Sequence, residues 1–239
     1  MTDNKTGIVY LIGAGPGDPG LITVKGREIL QSCDAVVYDK LIPIELIVML
    51  PETIEKIYVG KRSGEHSLTQ DKINELIVKL AIEGKKVARL KGGDPLMFGR
   101  CAEEAEYLIQ HEIDFEIIPG VTSGSAAPAY FGIPSTDRYK ASYTVFATGH
   151  KSIEKEYSHV PWDKLGQFND GTLIIYMGVG ELKNIVGELL AAGMPGDKGC
   201  TDRRSTNRTH LYVEEAAGST VFRFGHSDSR SRILRLFWV

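Results

Sequence analysis

The chain has 239 residues, a formal net charge of −3 and hydrophobic residues at 42% of its positions. These values are typical of a globular protein whose core needs no disulfide or metal support. The small negative charge argues against general nucleic-acid binding. The widely spaced cysteines and the polar N-terminus predict a reduced, cytoplasmic protein, and the most apolar stretch, residues 41–50, is too short to cross a membrane.

The first half of the chain alternates short apolar runs with amphipathic segments. This alternation predicts an α/β fold with a mostly parallel sheet that helices cover on both faces. We predict an N-terminal α/β domain over residues 1–120 and a C-terminal α/β domain over residues 121–239, with a hinge at Pro119 and Gly120. The predicted strands cover residues 8–12, 35–38, 57–59, 86–90 and 115–118. The predicted helices cover residues 21–30, 68–83 and 101–111, and Thr69 is the predicted N-cap of the second helix.

The second half predicts a helix over 123–131, strands over 143–147 and 172–177, and a helix over 181–192. The polar segment 151–170 is predicted to be a surface loop. After about Gly199, Arg and Ser crowd positions where a buried strand is expected. We hypothesise that this tail comes from a shifted reading frame, with ordinary divergence as the alternative. The sequence of the native gene decides between them.

The first predicted strand ends in a loop that is dense in Gly and Pro. Gly13 and Gly15 fit the first two positions of a dinucleotide-binding G-x-G-x-x-G motif, but Asp18 occupies the third. A carboxylate there would repel a pyrophosphate at the start of the helix. The lysine of a phosphate-binding P-loop is also missing. The spacing leaves open both a ligand-binding loop and a plain tight turn.

Polar residues follow four other predicted strands. They are Asp39, Lys61, a Gly-Gly-Asp turn that ends at Asp94, and Thr122. Because the carboxyl ends of parallel strands share one edge of a sheet, we expect these residues to lie near that edge. Each also has a purely structural interpretation: the aspartates as turn or helix caps, Lys61 as a solvated turn, and Thr122 as a helix N-cap.

Several of these blocks together resemble the tetrapyrrole methylase family over residues 7–197. They are Gly-Ala-Gly-Pro-Gly with Leu-Ile-Thr-Val-Lys, Tyr-Asp-Lys-Leu, Gly-Lys-Arg-Ser-Gly and Leu-Lys-Gly-Gly-Asp-Pro. The resemblance implies a homodimer of two-domain α/β chains, with S-adenosyl-L-methionine and a tetrapyrrole in the cleft between the domains. The second and third blocks favour a member that methylates two ring carbons of uroporphyrinogen III, giving precorrin-2 for siroheme or cobalamin.

The resemblance also implies roles for individual residues. It assigns Asp39 as proton acceptor and Lys61 as proton donor. Since the substrate carries many carboxylates, we add basic residues as candidate partners. These substrate-binding candidates are Arg62, Arg100, Arg138 and Lys140. The positions that the resemblance assigns to S-adenosyl-L-methionine are Pro16, Gly92, Gly93, Asp94, Met97, Thr122, Ser123 and Met177. The family's last cofactor contact, a glycine near its C-terminal strand, has no counterpart in this tail.

Three alternatives stay open. The first is another enzyme of the same fold, such as a later precorrin methylase, a diphthine synthase or a ribosomal RNA methylase. The second is a binding-only variant that its tail has inactivated. The third is a nucleotide-binding dehydrogenase, which Asp18 disfavours. No His or Cys cluster has metal-ligand spacing, so we predict no metal, and we also predict no nucleic-acid or membrane partner.

Overall fold

The structure is a computed structural model. It describes residues 6–60, 69–130, 132–139, 141–150, 160–168 and 170–194, together with the backbone of residues 210–216, 219–225 and 235–238. The chain divides into two compact units, Met1–Thr122 and Ser123–Val239. The predicted hinge at Pro119 and Gly120 lies just before this division.

The first unit contains a five-stranded sheet in which every neighbouring pair is parallel. Its strands are β1 (Ile8–Gly13), β2 (Ala35–Tyr38), β3 (Glu55–Tyr58), β4 (Val87–Lys91) and β5 (Asp114–Ile118). Their order in space is β3-β2-β4-β1-β5. The inner strands β1 and β2 are mostly apolar because a parallel sheet is buried on both faces, whereas β4 also carries two buried basic residues. Leu11 therefore joins one core and its neighbour Ile12 joins the other.

Helices cover both faces of this sheet, as the sequence predicts. They are α1 (Val24–Ser32), α2 (Ile44–Val48), α3 (Gln70–Ile82) and α4 (Cys101–Gln110). Leu30 of α1 packs in the core that contains Ile12, and Ile77 of α3 packs in the core that contains Leu11. Thr69 caps α3 by accepting a hydrogen bond from the Lys72 amide at 3.4 Å. The predicted N-cap is therefore confirmed.

The second unit contains a three-stranded parallel sheet and an antiparallel hairpin. The strands of the sheet are β6 (Tyr143–Thr148), β7 (Gly171–Tyr176) and β10 (Arg235–Trp238), in the order β10-β7-β6. The hairpin is formed by β8 (His210–Ala216) and β9 (Ser219–Gly225). The helices are α5 (Ser123–Tyr130), α6 (Trp162–Leu165) and α7 (Leu182–Ala191). Leu173 and Ile175 of β7 share a core with Ile185 and Leu189 of α7.

Several predicted elements were wrong in detail. The first helix begins at Val24 rather than at residue 21, because Thr23 caps it by accepting a hydrogen bond from the Gly26 amide. Residues 151–170 are not all surface loop, since Trp162 and Leu165 of α6 are buried. Helix α2 was not predicted. In the tail, for which no strand was predicted, the backbone of β10 pairs with β7.

Cys33 and Cys101 are free thiols inside the first unit. Burial raises the pKa of each to about 11, so both remain protonated at neutral pH. No helix within the described part of the chain combines the length and the apolar character that a membrane span requires.

Candidate active site

The loops that follow β1, β4 and β5 meet through their glycines at the carboxyl edge of the first sheet. The Gly15 amide donates to the Gly93 carbonyl at 3.2 Å, and the Gly93 amide donates back to Gly15 at 2.7 Å. Both residues have left-handed backbone, with φ of 80° and 69°. A Cβ on Gly13 would lie 2.6 Å from the Gly120 Cα. The three backbones are therefore in direct contact, with no room for side chains between them.

Asp94 clamps two of these loops together. Its Oδ2 accepts a hydrogen bond from the Gly120 amide at 3.1 Å, and its Oδ1 accepts one from the Leu96 amide at 2.9 Å. Asp94 is not the cap of α4, because that helix begins after Arg100. The carboxylate therefore fixes the Gly-Gly-Asp turn against the loop that follows β5.

The structure brings together most of the cofactor positions predicted in the first unit. Pro16 follows the bonded Gly15, Gly92 and Gly93 lie in the loop after β4, and Met97 is half-buried just beyond Asp94. Thr122 lies four residues after β5. The contacts between these loops support a ligand site at the sheet edge, while the individual cofactor contacts stay predictions.

Asp39 lies directly after β2 at the same edge. Its Oδ1 accepts a hydrogen bond from the Leu41 amide at 2.9 Å, and its Oδ2 lies 3.4 Å from Arg89 Nη2. The side chain is 26% exposed, so the carboxylate is open to one side. Leu41 packs against Gly92, where a Cβ would lie 2.9 Å from that of Leu41. The turn that contains Asp39 is therefore in contact with the Gly-Gly-Asp loop.

A buried charged cluster lies behind Asp39, and the sequence reasoning missed it. Glu104 accepts from Arg89 Nε at 3.1 Å and from Lys91 Nζ at 2.6 Å. All three side chains are almost completely buried, and burial lowers the pKa of Lys91 while the nearby Glu104 opposes that effect. One signal was available: two basic residues alternate on a central strand, where buried charges require partners.

In the second unit, Ser123 and Met177 lie at the ends of neighbouring elements. Ser123 begins α5, and Met177 follows β7 with φ of 53° and a side chain that is 51% exposed. The buried Tyr176 joins these elements, because its hydroxyl accepts a hydrogen bond from the Gly124 amide at 3.0 Å. Its ring contacts Phe146 edge-on. The sequence reasoning also missed this tyrosine.

Tyr176→Phe is expected to leave the Gly124 amide without its acceptor. We expect the free energy of unfolding to fall by about 1–3 kcal/mol and binding of S-adenosylhomocysteine to weaken, because the start of α5 is no longer tied to β7. Urea unfolding and titration calorimetry measure both effects. Tyr139→Phe is the matched control, because Tyr139 is 87% exposed. Equal results for the two variants would contradict the role given to the Tyr176 hydroxyl.

The remaining predicted residues are the candidate proton donor and the candidate partners of the substrate carboxylates. Lys61, Arg62 and Lys140 lie outside the described residues. Arg100 is exposed, and its guanidinium forms two hydrogen bonds to Glu103, at 2.9 and 2.6 Å. Arg138 is exposed in the second unit. Among the residues that the structure describes, no group of His, Cys, Asp and Glu side chains could hold a metal ion.

Touching glycine loops and a polar cluster at the carboxyl edge of a parallel sheet are typical of a ligand-binding α/β protein. The profile of the Tetrapyrrole (Corrin/Porphyrin) Methylases matches residues 8–201, and the chain belongs to this family. The match confirms the predicted family and fold. It ends at residue 201, close to the start of the atypical tail.

The chain is also similar to individual named members of the family. The chain is 49% identical over 191 residues to the S-adenosyl-L-methionine-dependent uroporphyrinogen III methyltransferase of Methanosarcina barkeri, covering 80% of this chain and 74% of that protein. It is 48% identical to the siroheme synthase of Pseudomonas putida over 78% of this chain, which is 40% of that longer protein. The uroporphyrin-III C-methyl transferase of Thermus thermophilus complexed with S-adenyl homocysteine superposes with a TM-score of 0.66 at 36% identity, covering 81% of this chain and 80% of that one.

Proposed function

We propose that this chain methylates uroporphyrinogen III at two ring carbons with S-adenosyl-L-methionine, giving precorrin-2 for siroheme or cobalamin synthesis. The family match over residues 8–201 carries the proposal, because it contains the three touching glycine loops and Asp39. The names of the relatives support the choice of uroporphyrinogen III over other substrates of the family.

The residues at the sheet edge fit S-adenosyl-L-methionine. Glycine backbones in direct contact leave a surface without bulky side chains, on which a ligand can approach the main chain closely. Met97 and Met177 provide polarizable apolar side chains. When bound, S-adenosyl-L-methionine supplies a methyl group already activated by its sulfonium sulfur. The residues proposed to hold it are Pro16, Gly92, Gly93, Asp94, Met97 and Thr122 in the first unit and Ser123 and Met177 in the second.

Asp39 is proposed to accept the proton that the methylated ring gives up, and Lys61 to donate a proton. Among the residues that the structure describes, Leu41 donates a hydrogen bond to one oxygen of the Asp39 carboxylate and Arg89 donates one to the other. A carboxylate has about four lone-pair sites, so these two contacts leave about two for a proton from the substrate. Because the side chain is partly exposed, those sites are accessible.

Binding of the substrate carboxylates is proposed for Arg62, Arg100, Arg138 and Lys140. Guanidinium groups suit this task because their paired N–H donors match the two oxygens of a carboxylate. Arg100 already holds the Glu103 carboxylate in this way. A substrate carboxylate would take the place of Glu103 or add to it.

The larger assembly is also a proposal. We infer that the two compact units act as the two α/β domains, 1–120 and 121–239, of a cytoplasmic homodimer. The division of the chain after Thr122 supports the first part. Sedimentation velocity on the purified protein tests the dimer, and a single species with the mass of one chain would contradict it.

An anaerobic reaction with uroporphyrinogen III and S-adenosyl-L-methionine tests the function. We expect a product with two added methyl groups, followed by absorption and by mass, and release of S-adenosylhomocysteine. A folded protein that binds S-adenosylhomocysteine but leaves uroporphyrinogen III unchanged would contradict the proposed substrate. Methylation of precorrin-2 instead would assign the chain to a later step.

A further inference from the structure

We propose that Arg89 is a positioning residue for Asp39, and that Glu104 holds Arg89 in place for this task. The inference deepens the proposed function and rests on the proton-accepting role given there to Asp39. It starts from the buried cluster of Arg89, Lys91 and Glu104. The proposed function assigns no role to these three residues.

Arg89 reaches Asp39 from inside the sheet. Its Nη2 lies 3.4 Å from Asp39 Oδ2, while the Leu41 amide donates to Oδ1 at 2.9 Å. The two contacts reach different oxygens, so together they set the direction of the carboxylate plane. With the Leu41 contact alone, the second oxygen could rotate away from the sheet edge.

The guanidinium has little freedom to move. Its Nε donates to Glu104 Oε1 at 3.1 Å, and its Nη1 donates to the Leu90 carbonyl at 3.0 Å and the Val37 carbonyl at 3.5 Å. The residue is only 4% exposed. With Asp39 as the partner of Nη2, all three guanidinium nitrogens have hydrogen-bond acceptors, which fixes the orientation of the group.

Glu104 is equally constrained. Its Oε2 accepts from Lys91 Nζ at 2.6 Å, and its Oε1 also accepts from Gln70 Nε2 at 3.1 Å. Gln70 in turn donates to Asn74 at 2.9 Å. These contacts connect α3 and α4 to β4, so the position of Arg89 is determined by two helices and a strand.

Charge balance gives the contact with Asp39 its importance. Glu104 carries one negative charge between the two buried cations Arg89 and Lys91. A buried cation requires an anionic partner. Asp39 supplies the second negative charge, so the cluster and the candidate base form one electrostatic unit.

A kinetic double-mutant cycle tests this coupling. The variants are Arg89→Met, Asp39→Asn and the double variant, with Arg27→Met as matched control, because Arg27 is exposed on α1. We expect Arg89→Met to lower kcat by about 100-fold, as misplacing a reacting group does, with binding of S-adenosylhomocysteine unchanged. If Arg89 acts through Asp39, the double variant is no slower than the slower single variant.

Two results would overturn the inference. One is that the two kcat losses multiply in the double variant, which means that the residues act independently. The other is that Arg89→Met loses S-adenosylhomocysteine binding to the same extent as turnover, which indicates general distortion. Arg89→Lys keeps the charge without the fork, and we expect a smaller loss of kcat in a folded protein. A kcat for Arg89→Lys equal to that of the parent would also overturn the inference.

Failure of the proposed function has a different signature. In that case the unaltered protein makes no methylated product from uroporphyrinogen III. Urea unfolding of the parent, the two single variants and the double variant then tests whether Arg89 and Asp39 interact. Additive losses in the free energy of unfolding would show that Arg89 does not interact with Asp39. A coupling energy between the two substitutions would support the interaction.

Discussion

Asp39→Asn is expected to lower kcat by roughly 10²–10⁴-fold, the range that general acid–base groups contribute. The amide has the shape of the carboxylate, and its oxygen can keep the hydrogen bond from the Leu41 amide. It has no negative charge for Arg89 and takes up a proton poorly. Cofactor binding is expected to remain, because the Asp39 side chain bonds to Leu41 and Arg89, which lie outside the glycine loops. Steady-state assays with uroporphyrinogen III measure kcat, and calorimetry measures binding.

Asp34→Asn is the matched control. Asp34 immediately precedes β2, at the opposite end of the strand from Asp39, and its Oδ2 accepts a hydrogen bond from the Lys86 amide at 2.8 Å. The same chemical change is therefore made far from the candidate site, and kcat should remain that of the parent. If Asp39→Asn retains the parent kcat as well, Asp39 is not the proton acceptor.

Gly120→Ala is expected to weaken S-adenosylhomocysteine binding by about tenfold to 100-fold, the equivalent of about 1.4–2.8 kcal/mol. The added Cβ would collide with the Gly93 carbonyl oxygen and lie 2.8 Å from the Gly13 Cα. Neither obstacle is a flexible side chain, so the loops must separate, which costs roughly 1–3 kcal/mol. The separation also strains the hydrogen bond from the Gly120 amide to Asp94. Calorimetry with S-adenosylhomocysteine provides the measurement.

Gly187→Ala is the control for Gly120→Ala, because it makes the same substitution where binding should not be weakened. Gly187 lies within α7, and no atom of another described element lies within 4 Å of the Cβ that alanine would add. Helix propensity predicts a gain in stability of about 0.5–1 kcal/mol with unchanged binding. If Gly120→Ala binds S-adenosylhomocysteine as tightly as Gly187→Ala, the contact between the glycine loops does not form the cofactor site.

The sequence predicted the elements of the first unit well because their signals are local. Short apolar runs, interrupted by basic residues in β4, marked all five strands, and Thr69 marked the start of α3. The errors arose where local signals compete. Residues 162–165 look polar on average, yet Trp162 and Leu165 are buried, because one turn of helix is enough to direct two apolar side chains inward.

The candidate site was predicted only in part, for a similar reason. Glycines and acidic residues at strand ends are visible in the sequence, and the structure places Gly15, Gly93 and Asp94 in mutual contact or in contact with the next loop. Glu104 and Tyr176 gave no local signal. Each acts on residues distant in the chain: Glu104 on Arg89, and Tyr176 on Gly124, 52 positions away.

The sequence by itself determined the family, the parallel α/β sheet and the identity of the residues at its carboxyl edge, because these depend on periodicity and on short motifs. Only the tertiary structure decided which side chains hold these edge residues in position. Whether Asp94 caps a helix or clamps two loops, and whether Asp39 faces solvent alone or is held by a buried arginine, depends on pairings between distant strands and helices. Those pairings are set by packing of the whole core, which no local pattern encodes.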